Sequence, residues 1–232
     1  MRWPALLLAW CCALPVPASA AAGYDARYRL LLDGDPVGQV VFRVRVAEDS
    51  YSVEAFTVPD GEMARSAPQH EVLEISEGTW RDGGPVPAEY VYHLRDSRGD
   101  HLFEQRFDWA AGKLHLSYED ASETTDLEPG TQDRLSYLLQ LAQAVRADRA
   151  EFAFAVAEPE ATVPMRFRAL QREQLELAAG SAEAVGVDCF TAGETPDRTI
   201  WVVPAWQHIP GLIERAVPEG RVRMELVGWE AR

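Results

Sequence analysis

The chain has 232 residues, of which 47% are hydrophobic and 25% are charged, and its formal net charge is −15 at pH 7. A chain of this length can bury a full hydrophobic core. Its acidity repels phosphate backbones and anionic membrane surfaces, so we expect no nucleic-acid partner.

The N-terminus has the features of a cleavable signal peptide. Arg2 precedes an apolar run over residues 6–14, and the small residues Ala18, Ser19 and Ala20 follow. The run is about half the length of a membrane-spanning helix, so we expect no stable membrane insertion. We predict that residues 1–20 are removed and that a single β-rich domain, residues 21–232, is released into the periplasm as a soluble protein.

Cysteine usage points to a fold without disulfides. Cys11 and Cys12 lie in the predicted signal peptide, which leaves Cys189 alone. Cys189 lies in the apolar, strand-like stretch 184–190, so we expect a buried and inert thiol rather than a reactive one.

The first half of the chain predicts an antiparallel series of strands. Residues 24–32 and 37–46 are rich in Val, Leu, Tyr and Phe, and the turn formers Asp33-Gly34-Asp35-Pro36 join them as a hairpin. A looser segment, 59–69, has few apolar anchors. Further strands are predicted over 51–56, 72–80, 89–94, 102–109 and 114–118. Since the separators are too short for crossover connections, consecutive strands should pair antiparallel.

One helix interrupts this pattern over about residues 131–147. Leu135, Leu138, Leu139, Ala142 and Val145 recur at three- and four-residue steps, which places them on one side of an α-helix. Thr131 is a plausible N-cap, and Asp133 would lie near the positive end of the helix dipole. More strands follow the helix, over 152–156, 165–177, 182–191, 199–203, 211–217 and 221–229.

These elements define the expected fold class. Roughly a dozen strands exceed what a flat sheet usually holds, because strand twist accumulates. We therefore predict a mainly β protein: a strongly curved antiparallel sheet or incompletely closed barrel, with the one amphipathic helix packed on its concave side.

Several stretches together resemble the domain-of-unknown-function family 3108, a set of exported bacterial envelope proteins. They are Gly34-Asp35-Pro36-Val37-Gly38, Gln132-Asp133-Arg134-Leu135-Ser136, Ile200-Trp201-Val202-Val203-Pro204 leading to Ile209-Pro210, and the closing hairpin 220–226. The resemblance implies an antiparallel β fold in the cell envelope and supplies no catalytic residues. Gly211 stands where the family usually places a β-branched residue, so the register of the penultimate strand is left open.

No catalytic or metal-binding motif emerges from the sequence. There is no G-x-S-x-G sequence, and Asp133 with Ser136 is better explained by hydrogen bonding at a helix end. His93, His101 and His115 fall on successive predicted strands, yet their spacing matches no zinc motif, so half-exposed strand histidines are the simpler explanation. The carboxylate pairs Glu119-Asp120 and Asp126/Glu128 are expected in solvated turns. We therefore predict no enzymatic activity, cofactor or metal.

The aromatic residues suggest a binding function. Most should pack in the core, but the inward rings together with the helix could line an apolar cavity for a lipid or acyl chain. The candidate lining residues are Leu135, Leu138, Leu139, Ala142, Trp80, Tyr92, Phe107, Trp109 and Trp201. The alternative is a protein–protein interaction module of the cell envelope, which would act through a sheet edge or the 59–69 segment.

Overall fold

Alternating apolar and polar residues build one large antiparallel sheet. The computed structural model describes residues 22–191, 193 and 195–232, so the predicted signal peptide lies outside the described residues. Within them the sheet has 14 strands. The strands are β1 (Ala22–Leu32), β2 (Asp35–Val46), β3 (Ser50–Pro59), β4 (Glu71–Arg81), β5 (Gly84–Asp96), β6 (Gly99–Asp108), β7 (Lys113–Tyr118), β8 (Ala121–Asp126), β9 (Glu151–Ala157), β10 (Thr162–Leu177), β11 (Gly180–Phe190), β12 (Arg198–Val203), β13 (Ile209–Val217) and β14 (Gly220–Ala231).

The strand order confirms the predicted sequential pairing. Each strand pairs antiparallel with its neighbour in the chain, except that β8 and β9 do not pair with each other. Instead β1 pairs with β14, so the two ends of the described chain meet inside the sheet and the free edges fall in the middle of the sequence. In the chain order, the helix predicted from the sequence follows edge strand β8 and precedes edge strand β9. It is α2 (Ser136–Arg146).

Asp-Gly turns connect two of the hairpins. Asp33 and Gly34 both have positive φ, 50° and 94°, and Asp82 and Gly83 repeat the pattern with 51° and 78°. Two consecutive left-handed residues form the tight turn whose twist matches that of the flanking strands. The prediction of a hairpin at residues 33–36 is therefore confirmed.

Strand β8 was not predicted. Its sequence, Ala-Ser-Glu-Thr-Thr-Asp, has no apolar face, and all its residues except Thr125 are exposed. The expectation that Asp126 lies in a turn is wrong, because Asp126 ends this strand and pairs with Lys113 of β7. A polar edge strand buries almost nothing, so hydrophobic periodicity cannot reveal it.

Helix α2 packs between the two halves of the curled sheet. On one side Leu135, just before the helix, and Leu139 join a core built mainly from β1 to β7 and completed by residues of β9, β13 and β14. On the other side Tyr137 and Leu141 join a second core formed by β9 to β12. The residues of the second core are Val156, Met165, Phe167, Val187, Cys189, Ile200 and Val202.

The expectation of a single apolar stripe on the helix is therefore wrong. Leu138, Ala142 and Val145 belong to that stripe but are only half-buried, whereas Tyr137 and Leu141 lie outside it and are buried. A helix that is covered on two sides has two buried faces. The three- and four-residue spacing of apolar residues identifies only one of these faces.

The start of α2 also differs from the prediction. Thr131 is not the cap, because its hydroxyl donates a hydrogen bond back to the Glu128 carbonyl, at 2.8 Å. The carboxylate of Asp133 accepts from the backbone N–H groups of Leu135 and Ser136 instead. Asp133 thereby acts as the cap at this end of the helix.

The segment ahead of α2 partly closes the gap between the free edges. Gln132 forms a parallel bridge to β9, in which its N–H donates to Ala155 and its carbonyl accepts from Ala157. The Gln105 side chain of β6 donates to the carbonyl of the same Ala157, at 3.1 Å. Side-chain and main-chain hydrogen bonds thus join the two halves where no strand ladder does.

Two local features complete the fold. The segment expected to be a loop, 59–69, contains the short helix α1 (Gly61–Ser66), which has no buried residue. Gly211 lies at an irregularity in the β12–β13 ladder, where Trp201 pairs with Leu212 and Val202 pairs with Pro210. A Cβ at this position would come within 2.9 Å of the Leu177 and Val203 side chains, so glycine provides the space in which they pack.

Candidate functional site

A buried polar network holds the N-terminal end of α2 against the sheet. The Oδ1 atom of Asp133 accepts from Leu135 N and Ser136 N, both at 2.8 Å, and Oδ2 accepts from the Ser76 hydroxyl at 2.6 Å. The Ser76 oxygen lies 2.9 Å from the Tyr51 hydroxyl, which extends the network to β3. Helix α2 is thereby joined to β3 and β4 through side chains.

Asp133 and Ser136 also form a reciprocal pair. The Asp133 N–H donates to the Ser136 hydroxyl oxygen, at 2.9 Å. Asp133, Ser136 and Ser76 are all fully buried, and burial raises the pKa of Asp133 against the opposing effect of its hydrogen bonds. The prediction that Asp133 and Ser136 serve hydrogen bonding at a helix end is confirmed.

A cavity lies beside the second half of α2, and we call it the α2 cavity. Its volume is about 350 Å³, at the small end of the range of ligand pockets. Its wall is formed by the helix, by the ends of β1 and β2, and by Trp80 of β4. Its lining residues are Gly23, Tyr24, Val44, Val46, Ala47, Glu48, Trp80, Leu139, Ala142, Gln143, Arg146 and Gln207.

The lining separates into an apolar interior and a polar mouth. Val44 and Leu139 are buried, and Ala142 and Trp80 are half-buried beside them. The exposed side chains of Glu48, Arg146 and Gln207 supply polar groups. The cavity thus combines apolar side chains with a comparable share of polar surface, and its size is within the range of small-molecule pockets.

Three of the nine predicted lining residues, Trp80, Leu139 and Ala142, line the α2 cavity. Leu135 is buried in the first core, where Leu138, Tyr92 and Trp109 pack as half-buried neighbours. None of these four lines the α2 cavity.

Phe107 and Trp201 lie elsewhere. Phe107 lines a more open groove of about 760 Å³, which shares Val46 and Ala47 with the α2 cavity. Trp201 packs with Ala184 and Leu212 in a third cluster, since its side chain leaves β12 on the face opposite Ile200 and Val202.

Other residues that line the α2 cavity were not predicted as site residues from the sequence. Tyr24, Val44 and Val46 were recognised as strand residues but not as part of a site. Alternation along β2 identifies the inward face, and nothing in that pattern shows which inward positions border empty space.

The three strand histidines have separate partners. His93 lies 3.1 Å from Asp100, His101 lies 2.9 Å from Glu119, and His115 lies 3.0 Å from the Thr124 hydroxyl. Over the described part of the chain, no three histidine, cysteine or acidic side chains are grouped as metal ligands.

Cys189 is buried, as predicted. It packs with Val187 and Ile200 in the second core, and burial raises the pKa of its thiol to about 12. The thiol is therefore protonated at neutral pH, which keeps its nucleophilicity low.

The fold places the protein among β-barrel-like proteins. It is similar to the crystal structure of a beta-barrel-like protein of domain of unknown function DUF1849 from Brucella abortus, with a TM-score of 0.60 and 14% sequence identity. The similarity covers 91% of this chain and 98% of the other, which bears out the predicted fold class. At this identity it shows the fold alone.

The chain belongs to the DUF3108 family, described as a protein of unknown function, which it matches over residues 24–227. The resemblance noted in the sequence is therefore confirmed. A search of curated proteins found no match. In the described part of the chain, no helix has both the length and the apolar character needed to span a membrane.

Proposed function

We propose that the protein binds the apolar chain of an amphiphile, such as a fatty acid or the acyl chain of a lipid, in the α2 cavity. The observation that carries the proposal is this space of about 350 Å³ between a helix and a curled sheet, lined on one side by apolar residues such as Val44, Leu139 and Ala142 and on the other by polar ones. Burial of each methylene group contributes about 0.8 kcal/mol, so even a partly inserted chain gains substantial affinity.

The proposed setting is the periplasm, reached after removal of residues 1–20. Its support is the sequence alone: a basic residue, a short apolar run and the Ala18-Ser19-Ala20 pattern. Binding and release of an apolar chain require no cofactor or catalytic group, and we propose none.

A filled cavity should bind less. Ala142 lines the α2 cavity and is half-buried, so Ala142→Phe places a ring where the chain would lie. If the ring displaces about two methylene groups, affinity for a single-chain amphiphile falls roughly tenfold. Isothermal titration calorimetry with delipidated protein measures this loss.

Ala147→Phe is the matched control, since Ala147 is exposed at the C-terminal end of the same helix and does not line the cavity. Its affinity should equal that of the unmodified protein. Equal affinity for Ala142→Phe, with folding verified by circular dichroism, would place the chain elsewhere and remove the proposed site.

The alternative function, an envelope interaction module acting through a sheet edge or the 59–69 segment, has less support. Edge strand β8 carries exposed Glu123 and Asp126, and charges on an edge disfavour pairing with another strand. The outer edge of β9 is bridged by Gln132 over residues 155–157. These features argue against the form of the alternative that relies on a sheet edge.

A further inference from the structure

The mouth of the α2 cavity contains a cation without a protein partner. Arg146 lies in the last turn of α2 and lines the cavity together with Ala142, one turn earlier. Its exposed guanidinium makes no hydrogen bond or ion pair with any described residue. Many other arginines of this acidic chain are paired with carboxylates, as Arg168 is with Asp188 at 3.1 Å.

The position of Arg146 at the cavity is not explained by the helix alone. A basic residue near a helix C-terminus is favourable in any case, because the last carbonyl groups carry partial negative charge. Arg149 meets that condition too, yet it does not line the cavity. Arg149, an exposed arginine three residues beyond the end of α2 and outside the cavity, therefore serves as a control for removal of a positive charge from this region.

The titratable groups near Arg146 restrict the charge that can be accommodated. Partial burial of His208, together with the positive charges of Arg146 and Arg172, lowers its pKa, so the imidazole is neutral at neutral pH. Arg172 is paired with Glu183, at 2.9 Å. Glu48 is the carboxylate on the lining, and it repels anions. Arg146 provides one binding position for a negatively charged group, and repulsion from Glu48 disfavours a head group with more than one negative charge.

We infer that the preferred ligand is a single-chain carboxylic acid, whose hydrocarbon chain lies against Leu139 and Ala142 and whose carboxylate binds the Arg146 guanidinium. A guanidinium presents two parallel N–H donors that match the two oxygens of a carboxylate. The inference rests on the proposed function, since it assigns the head group of the ligand in the same cavity.

The test compares ligands that differ only in the head group. Dodecanoate and dodecanamide are titrated into delipidated protein, below their aggregation concentrations and at a pH well above the pKa of the free acid. The unmodified protein should bind dodecanoate roughly fivefold more tightly than the amide, as expected for an exposed charged pair. Arg146→Gln should abolish this preference, Arg149→Gln should retain it, and Glu48→Gln should increase it.

The possible failures can be told apart. If neither ligand binds the unmodified protein, the proposed function fails and the head-group assignment fails with it. If both ligands bind equally well, the cavity function stands and the assignment to a carboxylate is overturned. If Arg146→Gln weakens the acid and the amide by the same factor, the arginine contributes only its apolar stem, and the ion pair is excluded.

Discussion

Leu141→Ala should lower the free energy of unfolding by about 3 kcal/mol, as expected when a fully buried leucine is truncated. Leu141 has no exposed surface and lies in the core formed by β9 to β12. Removing its side chain leaves a void where α2 meets that half of the sheet. Leu138→Ala should cost only about 1 kcal/mol. Leu138 is half-buried, so the truncated atoms include some that are already in contact with water and contribute little to stability.

Urea unfolding followed by far-ultraviolet circular dichroism gives both values, provided that the slope of the transition is the same in the two variants. Both substitutions make the same chemical change in the same helix, so differences in helix propensity cancel. A larger loss for Leu138→Ala than for Leu141→Ala would mean that the helix docks through one stripe, against a single wall.

This pair of leucines shows how far the sequence alone could go. The strands of the first half follow from alternating residues and short turns, since a half-buried strand imposes a two-residue period. The helix was found because Leu135, Leu138 and Leu139 stand out from that period. The second buried face of the helix was not predicted. Leu141 packs against β9 to β12, which come later in the chain, and the helix sequence alone does not show that these strands cover it.

The candidate site was predictable only in part, for a similar reason. Residue type and periodicity indicate which side chains point inward, and three of the residues predicted to line a cavity, Trp80, Leu139 and Ala142, lie on the wall of the α2 cavity. Whether an inward residue borders a void depends on how completely its neighbours fill space, which is a property of the packed structure. Strand β8 was missed for a different reason: a strand without a buried face has no hydrophobic period that could reveal it.

The Asp133 network should show the other large effect, since Asp133→Ala is expected to cost about 3 to 4 kcal/mol. The substitution removes a helix cap, typically about 1 kcal/mol. That same loss leaves three buried groups without their acceptor, the two capped N–H groups of Leu135 and Ser136 and the Ser76 hydroxyl, at about 1 kcal/mol or more for each group. Asp133→Asn should cost less, about 1 to 2 kcal/mol, because the amide oxygen can still accept from the two N–H groups.

The asparagine variant also tests the ionisation of this carboxyl group. Burial raises the pKa of Asp133 in the folded state, so folding favours the protonated form. The contribution of this group to stability is therefore complete below the pKa of the unfolded chain, about 3.9, and is lost as the pH rises through the folded pKa. Asparagine does not titrate, so the stability advantage of the unmodified protein over Asp133→Asn should shrink with rising pH.

Urea unfolding of the two proteins at a series of pH values from about 4 upward measures that advantage directly. Every other carboxylate is common to both, so its titration cancels in the difference. An advantage that grows with pH would mean that the hydrogen bonds from Ser76, Leu135 and Ser136 outweigh burial and hold Asp133 as a carboxylate. In that case folding would favour the ionised form of Asp133, and its pKa would be lowered in the folded state.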